Sequence, residues 1–135
     1  MIFGIGTDIV AVARIEAAIE RHGAAFAERI LSAQELEEYV AHVNPARFLS
    51  KRFAAKEAFA KATGQGLRHP VSLRHITVSN DELGKPNFLF DAELAAYMQQ
   101  LGVTRHHLSI SDEKDVAVAF VVLESNGVGD VKCKV

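Results

Sequence analysis

The first ten residues of the chain follow a pattern that favours a β-strand. Apolar side chains, several of them β-branched, fill most positions of residues 2–10, and Asp8 stands near the end of this run. Side chains of a strand point alternately to its two faces, so Gly4, Gly6 and Asp8 share one face. Because glycine has no side chain, this face is bare beside the acid, which predicts room for a ligand there.

Helical spacing then continues over the next part of the chain, with interruptions at Gly23 and at the dipeptide Asn44-Pro45. Ser32 and Glu35 form a capping-box pattern that opens one of these helices. The last helical segment is rich in strong helix formers and stops at residues 63–66, so it predicts one long helix. The predicted helices span residues 13–22, 24–31, 32–41 and 46–62.

The second half of the chain changes to short strand-like segments. Residues 80–86 are rich in turn formers and separate two of these segments, which favours a hairpin. Asp91 can cap a helix that Gly102 ends. One strand, then several helices, then mostly hairpins is typical of an α+β fold, with an antiparallel or mixed sheet packed against helices that include the long central one. The predicted strands of this half span residues 73–79, 87–90, 103–111 and 116–123.

Composition and charge limit the possible functions. The chain has 135 residues, 49% of them hydrophobic, which fits one domain expected at residues 1–124, with a weakly patterned tail at 125–135. A net charge of -2 gives no broad basic surface for nucleic acid. No apolar stretch is long enough to span a bilayer, and the N-terminus lacks the basic segment of a secretion signal. The single cysteine, Cys133, allows no internal disulfide, which favours a cytoplasmic location.

The long helix carries the strongest chemical pattern. Mg²⁺ prefers oxygen ligands and often takes only one or two protein carboxylates beside water and phosphate oxygens. Glu57 on this helix and Asp8 on the strand fit that scheme. Glu57 and Lys61 also have the spacing of an ordinary surface ion pair, and Asp8 fits a strand-end turn, so spacing alone leaves both interpretations open. The predicted polar arc contains Arg47, Ser50, Lys51, Glu57 and Lys61, with Ala54 and Ala58 as clearance for a phosphate.

Two further segments have candidate chemistry. Gly64 and Gly66 follow the long helix, and their backbone N–H groups either approach a phosphate or simply cap the helix. His107 and Ser109 share a strand face, where an imidazole can contact a phosphate, take a proton or remain solvated. Adjacent His106 and His107 point to opposite faces and form a poor metal chelate.

Four separated segments occur in an order and at distances that resemble those of holo-(acyl-carrier-protein) synthases, the small 4′-phosphopantetheinyl transferases of bacterial fatty-acid synthesis. They are Gly-Ile-Gly-Thr-Asp-Ile-Val at 4–10, Arg-Phe-Leu-Ser-Lys-Arg-Phe-Ala-Ala-Lys-Glu-Ala-Phe-Ala-Lys at 47–61, Leu-Gly-Lys-Pro at 83–86 and His-Leu-Ser-Ile-Ser at 107–111. The resemblance extends from residue 2 to about residue 124. Its most specific part is the 53–61 segment paired with the early Gly-x-Asp strand.

The resemblance implies an enzyme that moves the 4′-phosphopantetheine of coenzyme A to a serine of apo acyl carrier protein and releases adenosine 3′,5′-bisphosphate. It implies dependence on Mg²⁺, with Asp8 and Glu57 as metal ligands and with Lys61 completing the catalytic group. It also implies a homotrimer whose active sites lie between neighbouring subunits. The implied coenzyme A contacts are Arg52, Lys61, Gly64, Gly66, Lys85, Pro86, His107 and Ser109.

Carrier proteins are acidic, so the expected docking surface is local and basic. Arg14 and Arg21 lie two helical turns apart and are the best candidates, although each also fits an ordinary solvated arginine. The general base stays open between Glu57 and a metal-ordered water. Two other functions also stay open: a non-catalytic module that binds coenzyme A or a nucleotide, and an interaction domain without a ligand.

Overall fold

The structure, a computed structural model, describes residues 1–126 and confirms the predicted order of elements. Two antiparallel sheets are present in this range, one with strand order β1-β5-β4 and one formed by β2 and β3. The helices are α1 (Val12–His22), α2 (Ala24–Ile30), α3 (Ala33–Ala41), α4 (Pro45–Thr63) and α5 (Ala92–Leu101). The strands are β1 (Ile2–Ala11), β2 (Ile76–Asn80), β3 (Pro86–Phe90), β4 (Val103–Asp112) and β5 (Val116–Ser125).

The α+β prediction is confirmed, with differences at some element ends. The strand predicted to begin at residue 73 begins at Ile76, because Leu73–His75 form a 3-10 turn. The capping box is present: the Ser32 hydroxyl accepts from Glu35 N, and Glu35 Oε1 accepts from Ser32 N. Asp91 Oδ1 accepts from Leu94 N and caps α5. Both caps could be predicted from the sequence because each depends on a few neighbouring residues.

Helix α4 is the centre of the domain, and β1 lies directly against it. A Cβ on Gly4 would lie 2.0 Å from Ala62 O, and one on Gly6 would lie 2.0 Å from Ala58 O. The predicted ligand space beside Gly4 and Gly6 is therefore wrong. The glycines are needed because the helix backbone itself occupies that space.

The same packing corrects the predicted role of two alanines. Ala54 and Ala58 are fully buried, so they give clearance to the sheet rather than to a phosphate. Ser50 is also buried and donates to Ala46 O, so it leaves the predicted polar arc. A helix that is covered on most sides carries its polar groups only where a partner or a cleft receives them.

We expect Gly6→Ala to lower the free energy of unfolding by about 3 kcal/mol or more, because the new methyl group meets backbone atoms that cannot rotate away. Urea denaturation measures this loss. Ser111→Ala, at an exposed position of β4, is the matched control and should change stability by less than about 0.5 kcal/mol. A Gly6→Ala protein as stable as the control would contradict the close approach of strand and helix.

On its other side α4 meets a buried ionic cluster formed by Glu35, Arg52 and Lys56. Glu35 and Lys56 are both fully buried, and Lys56 Nζ donates to Glu35 Oε1, to Ile30 O at 2.8 Å and to Leu73 O at 2.9 Å. The remaining Glu35 oxygen accepts from Val78 N at 2.9 Å and lies 3.3 Å from Arg52 Nε. Burial lowers the Lys56 pKa to about 8, against the opposing attraction of Glu35. The cluster links α3, α4 and β2.

Strand β5 runs one residue past the predicted domain boundary at 124. Ser125 N donates to Met1 O, and the Met1 ammonium group donates to Ser125 O at 3.0 Å. The predicted tail lies mostly outside the described residues. Within residues 1–126, none of the helices combines the length and the apolar character needed to cross a membrane.

Candidate active site

Asp8, Glu57 and Lys61 meet where β1 crosses α4. Lys61 Nζ lies 3.0 Å from Asp8 Oδ1 and donates to Thr7 O at 3.0 Å. The Asp8 side chain is 17% exposed and the Lys61 side chain 55% exposed, so the cluster opens to solvent at its edge. The structure thus places Asp8 beside a part of α4 that lies about fifty positions later in the sequence.

Burial and three charged neighbours act on the Glu57 carboxyl group. Burial raises the Glu57 pKa, and the negative charge of Asp8 raises it further. The positive charges of Lys61 and Arg14 act in the opposite direction. Glu57 therefore interacts with one like charge and with two cations, one of which is Arg14 on α1.

This donor set fits a magnesium ion. Two carboxylates supply oxygen ligands of the kind Mg²⁺ prefers, and they leave the other coordination positions to water and phosphate oxygens. The repulsion that raises the Glu57 pKa is the interaction that a divalent cation would relieve. Asp8 and Glu57 would hold the ion, and Lys61 would then be released from Asp8 to contact a phosphate.

The glycine segment after α4 functions as a helix end. Gly64 adopts φ 78° and its N–H donates to Lys61 O, while Gly66 N–H donates to Ala60 O. Gln65 N–H donates to Thr63 Oγ1. All three backbone donors thus have partners within the chain, as at an ordinary helix end.

Arg52 lies apart from the Asp8–Glu57–Lys61 cluster. Its side chain is 7% exposed, pairs with Glu35 and Glu38, and stacks over the Phe48 ring at 4.4 Å. Five residues separate Arg52 from Glu57, which turns the two side chains to different sides of α4. Arg52 does line a pocket of about 190 Å³ together with Arg47 and Lys51. Glu38, which pairs with Arg52, lines the same pocket.

His107 and Ser109 lie on the opposite face of the three-stranded sheet from Asp8. Ser109 is paired with Phe120, whereas Asp8 is paired with Ala119 one position away. Adjacent positions of a strand point to opposite faces, so Asp8 turns towards α4 while His107 and Ser109 turn outwards. His107 Nε2 lies 3.5 Å from Glu124 Oε2. Within one chain, Asp8 and the His107–Ser109 pair therefore cannot contact one ligand from the same face of the sheet.

Lys85 and Pro86 lie at the turn of the β2–β3 hairpin, in the other sheet. Asp81 shapes this turn, because its Oδ1 accepts from Lys85 N and from Leu83 N, both at 2.9 Å. The Lys85 side chain is exposed. The predicted site residues therefore divide into the Asp8–Glu57–Lys61 cluster, the Arg52 pocket, the hairpin turn and the outer sheet face.

Comparison with known proteins identifies the family of this chain. A family model described as the 4′-phosphopantetheinyl transferase superfamily matches residues 4–121. The chain belongs to this superfamily. The predicted resemblance is thereby confirmed over nearly the same range of residues as the sequence motifs indicated.

Relatives within the superfamily are similar along almost their whole length. A holo-[acyl-carrier-protein] synthase of Nitrosospira multiformis is 58% identical over 124 residues, which cover 92% of this chain and 99% of the relative. The crystal structure of the holo-[acyl-carrier-protein] synthase from Neisseria meningitidis superposes with a TM-score of 0.91 at 50% identity, covering 93% of this chain and 100% of that one. A Bacillus anthracis synthase in complex with CoA (3′,5′-ADP) has a TM-score of 0.78 at 40% identity, covering 93% and 99%.

Sequence reasoning missed the ionic cluster formed by Glu35, Arg52 and Lys56. Lys56 stands next to Glu57, but its side chain points into the core and not towards Asp8. The available signal was the spacing of Arg52 and Lys56, four residues apart on the side of α4 otherwise occupied by apolar residues. Two cations on a core-facing side require a buried acid, and Glu35 at the capping box is that acid.

The second missed residue is His106, which belongs to an aromatic cluster. Its ring lies 5.0 Å from the Phe90 ring and 6.0 Å from the Phe88 ring. Phe59 of α4 contacts the same two phenylalanines. Burial lowers the His106 pKa, and the neighbouring His107 lowers it further. Of the two histidines, His106 therefore packs against β3, and His107 remains accessible.

Proposed function

We propose that this protein transfers the 4′-phosphopantetheine group of coenzyme A to a serine of apo acyl carrier protein, with Mg²⁺, and releases adenosine 3′,5′-bisphosphate. The observation that carries the proposal is the convergence of Asp8, Glu57 and Lys61 at the β1–α4 crossing. The 58% identity with a holo-[acyl-carrier-protein] synthase and the similarity to a synthase in complex with CoA support the choice of substrates. The single cysteine remains the basis for a cytoplasmic location.

The reaction requires a serine oxygen to attack the β-phosphate of coenzyme A while the bond to the adenosine bisphosphate breaks. A Mg²⁺ ion supplies, when bound, positive charge that offsets the charge developing on the departing group. Asp8 and Glu57 would hold that ion, and Lys61 would add a second positive contact to the phosphates. The cluster is half-buried, so these charges act more strongly than in bulk water.

Glu57 is the best candidate on this chain for the group that accepts the serine proton. Its raised pKa makes it a better base than an exposed carboxylate. A water ordered by Asp8 and Glu57 is the alternative acceptor. The same two carboxylates would position either acceptor beside the serine hydroxyl.

The proposed coenzyme A site is shared between subunits of a homotrimer. The outer face of the three-stranded sheet exposes large apolar side chains: Ile5 is 59%, Ile9 64% and Phe120 48% exposed. A contiguous apolar face of this kind is typical of a protein interface. His107 and Ser109 belong to this face, next to Phe120. A neighbouring subunit packed here would receive His107 and Ser109 beside its own Asp8 and Glu57.

Several cations are then available to the phosphates of coenzyme A. Lys61 is already at the cluster, and Arg52 is accessible through its pocket beside Arg47 and Lys51. Lys85 at the hairpin turn is exposed and is a further cation. Pro86, next to it, is also a proposed coenzyme A contact. Gly64 and Gly66 would contribute by keeping the segment after Lys61 close to α4, since their N–H groups serve the helix end.

Complementation between two inactive variants tests the shared site. Asp8→Ala and His107→Ala proteins should each have low activity, because each lacks one side of every site. After the subunits are mixed by mild unfolding and refolding, random assembly should recover about one quarter of the wild-type activity, measured as phosphopantetheine transfer. Each variant refolded alone is the control. No recovery, with a trimer mass retained in light scattering, would contradict a site between subunits.

Arg14 is the proposed centre of the carrier docking surface, with Arg21 further along the same helix. Both are exposed, and the charge of Arg14 reaches Glu57. We expect Arg14→Ala to raise the KM for the carrier roughly two- to fivefold, as for the loss of one exposed charge pair, and to weaken its salt dependence. Arg29→Ala on α2 is the control. An effect restricted to the KM for coenzyme A would contradict the docking role.

A further inference from the structure

A second group of metal-ligating side chains lies outside the Asp8–Glu57–Lys61 cluster, where the segment after α4 meets the start of α5. It contains His69, His75 and Glu93, and one ligand atom of each lies within 4.8 Å of those of the other two. Asp91 adjoins them as the N-cap of α5. The site is at the edge of an open pocket of about 650 Å³ that His75 and Asp91 help to line.

The contacts show that His75 and the adjoining Asp91 are held in place, whereas His69 and Glu93 are adjustable. His75 Nδ1 lies 2.5 Å from Asp91 Oδ2, and Asp91 N donates to His75 O at 3.1 Å. Because the other Asp91 oxygen caps α5, the His75–Asp91 pair is tied to the backbone. His69 Nε2 lies 2.7 Å from Glu93 Oε2, and the two side chains are 70% and 55% exposed.

The two histidine–carboxylate pairs lie close to each other, so they differ from two independent surface ion pairs. His75 Nδ1 also lies 3.9 Å from Glu93 Oε1, so Glu93 lies between both imidazoles. A metal at about 2.0–2.2 Å from nitrogen and oxygen ligands needs those ligands a little over 3 Å apart. The exposed His69 and Glu93 side chains can reach such separations by changes of rotamer.

The donor set selects the class of metal. Imidazole nitrogens suit Zn²⁺, Co²⁺ and Ni²⁺, whereas Mg²⁺ and Ca²⁺ prefer sites of oxygen alone. The positive end of the α5 dipole disfavours a cation, but the charges of Asp91 and Glu93 counter it. The Asp91 carboxylate, whose Oδ2 lies 2.5 Å from His75 Nδ1, adds a further oxygen donor beside that imidazole.

We propose that His69, His75 and Glu93, supported by Asp91, form a binding site for a divalent transition-metal ion such as Zn²⁺. This site is distinct from the magnesium site in its residues and in its ligand chemistry. The ion would link residue 69, in the segment after α4, to the 3-10 turn and to α5. Because it binds the folded chain at residues far apart in sequence, it would stabilise the protein against unfolding.

Metal titration of the full-length protein tests the site. Metal-stripped protein with Cys133→Ser, which removes the thiol as a ligand, is titrated with Co²⁺ and Zn²⁺ in a large excess of Mg²⁺. Visible absorption reports Co²⁺ binding, and a chromophoric chelator competes for Zn²⁺. We expect one ion per chain, and a Tm that rises with Zn²⁺ concentration.

Loss of a group that only supports a metal ligand weakens metal affinity about 10–100-fold. His69→Ala and Glu93→Gln each remove a ligand, so each should weaken Zn²⁺ affinity by at least this much and should remove the rise in Tm. Both side chains are exposed, so these variants should fold. His42→Ala, an exposed histidine outside the group, should bind as the parent does. The proposal is overturned if the parent binds neither ion, or if His69→Ala and His42→Ala bind with equal affinity.

Discussion

Replacing Asp8 by alanine is expected to lower kcat/KM for phosphopantetheine transfer by at least about 10³-fold, since a metal-held charge contributes several kcal/mol to transition-state stabilisation. Glu57→Gln, which keeps the shape of the side chain and removes its charge, should have an effect of the same order. The residual activity of both variants should no longer rise when Mg²⁺ is added. Initial rates across a Mg²⁺ titration measure both effects.

The fold should survive these changes. Asp8 is held by one partly exposed ion pair, and its charge repels Glu57, so we expect the free energy of unfolding to change by about 1 kcal/mol or less. Glu37→Gln, at an exposed position of α3, is the matched control and should keep full activity. An Asp8→Ala protein that keeps its Mg²⁺ response would exclude Asp8 as a metal ligand.

Removing the ammonium group of Lys56 is expected to have the largest effect on stability. Lys56→Ala leaves Glu35 buried with one ionic partner fewer, and leaves the carbonyl groups of Ile30 and Leu73 without their donor. Breaking a buried ion pair from one side costs about 3–5 kcal/mol. Urea denaturation should show a lower midpoint with an unchanged slope.

Two further variants separate charge from packing. Lys56→Met keeps most of the buried aliphatic chain but not the charge, so it should lose most of the same stability. Lys51→Ala removes a half-exposed lysine that lies 3.8 Å from Asp112, and should cost about 1 kcal/mol or less. Equal losses for Lys56→Met and Lys51→Ala would mean that the buried cluster contributes no more than a surface pair.

The sequence predicted those parts of the fold that depend on local chemistry. The capping box at Ser32, the cap at Asp91 and the long helix ending at Gly64 each depend on a few adjacent residues, and all are present. The pairing of Asp8 with Glu57 and Lys61 depends on a contact between distant segments. It could be predicted only because the motifs resemble a known family.

The contacts that could not be predicted depend on which face of a helix or strand is covered by another element. Gly6 was expected to leave space for a ligand, but that space belongs to the α4 backbone. Arg52 stays a predicted coenzyme A contact, and periodicity did not indicate that its guanidinium pairs with Glu35 and Glu38. His107 and Ser109 were expected to share a strand face, and periodicity did not indicate that this face is opposite the one that carries Asp8. Periodicity indicates which residues share a face of a helix or strand, whereas tertiary packing decides which element covers that face.

The most direct test of the proposed function is the mass of the carrier protein itself. Apo acyl carrier protein is incubated with this protein, coenzyme A and Mg²⁺, and then measured by intact-mass spectrometry, with an excess of chelator as the control. We predict that the carrier gains one phosphopantetheine on a serine, that adenosine 3′,5′-bisphosphate appears in equal amount, and that the chelator prevents both. A carrier of unchanged mass, with the protein folded and bound to coenzyme A, would contradict the transferase function and indicate a binding module.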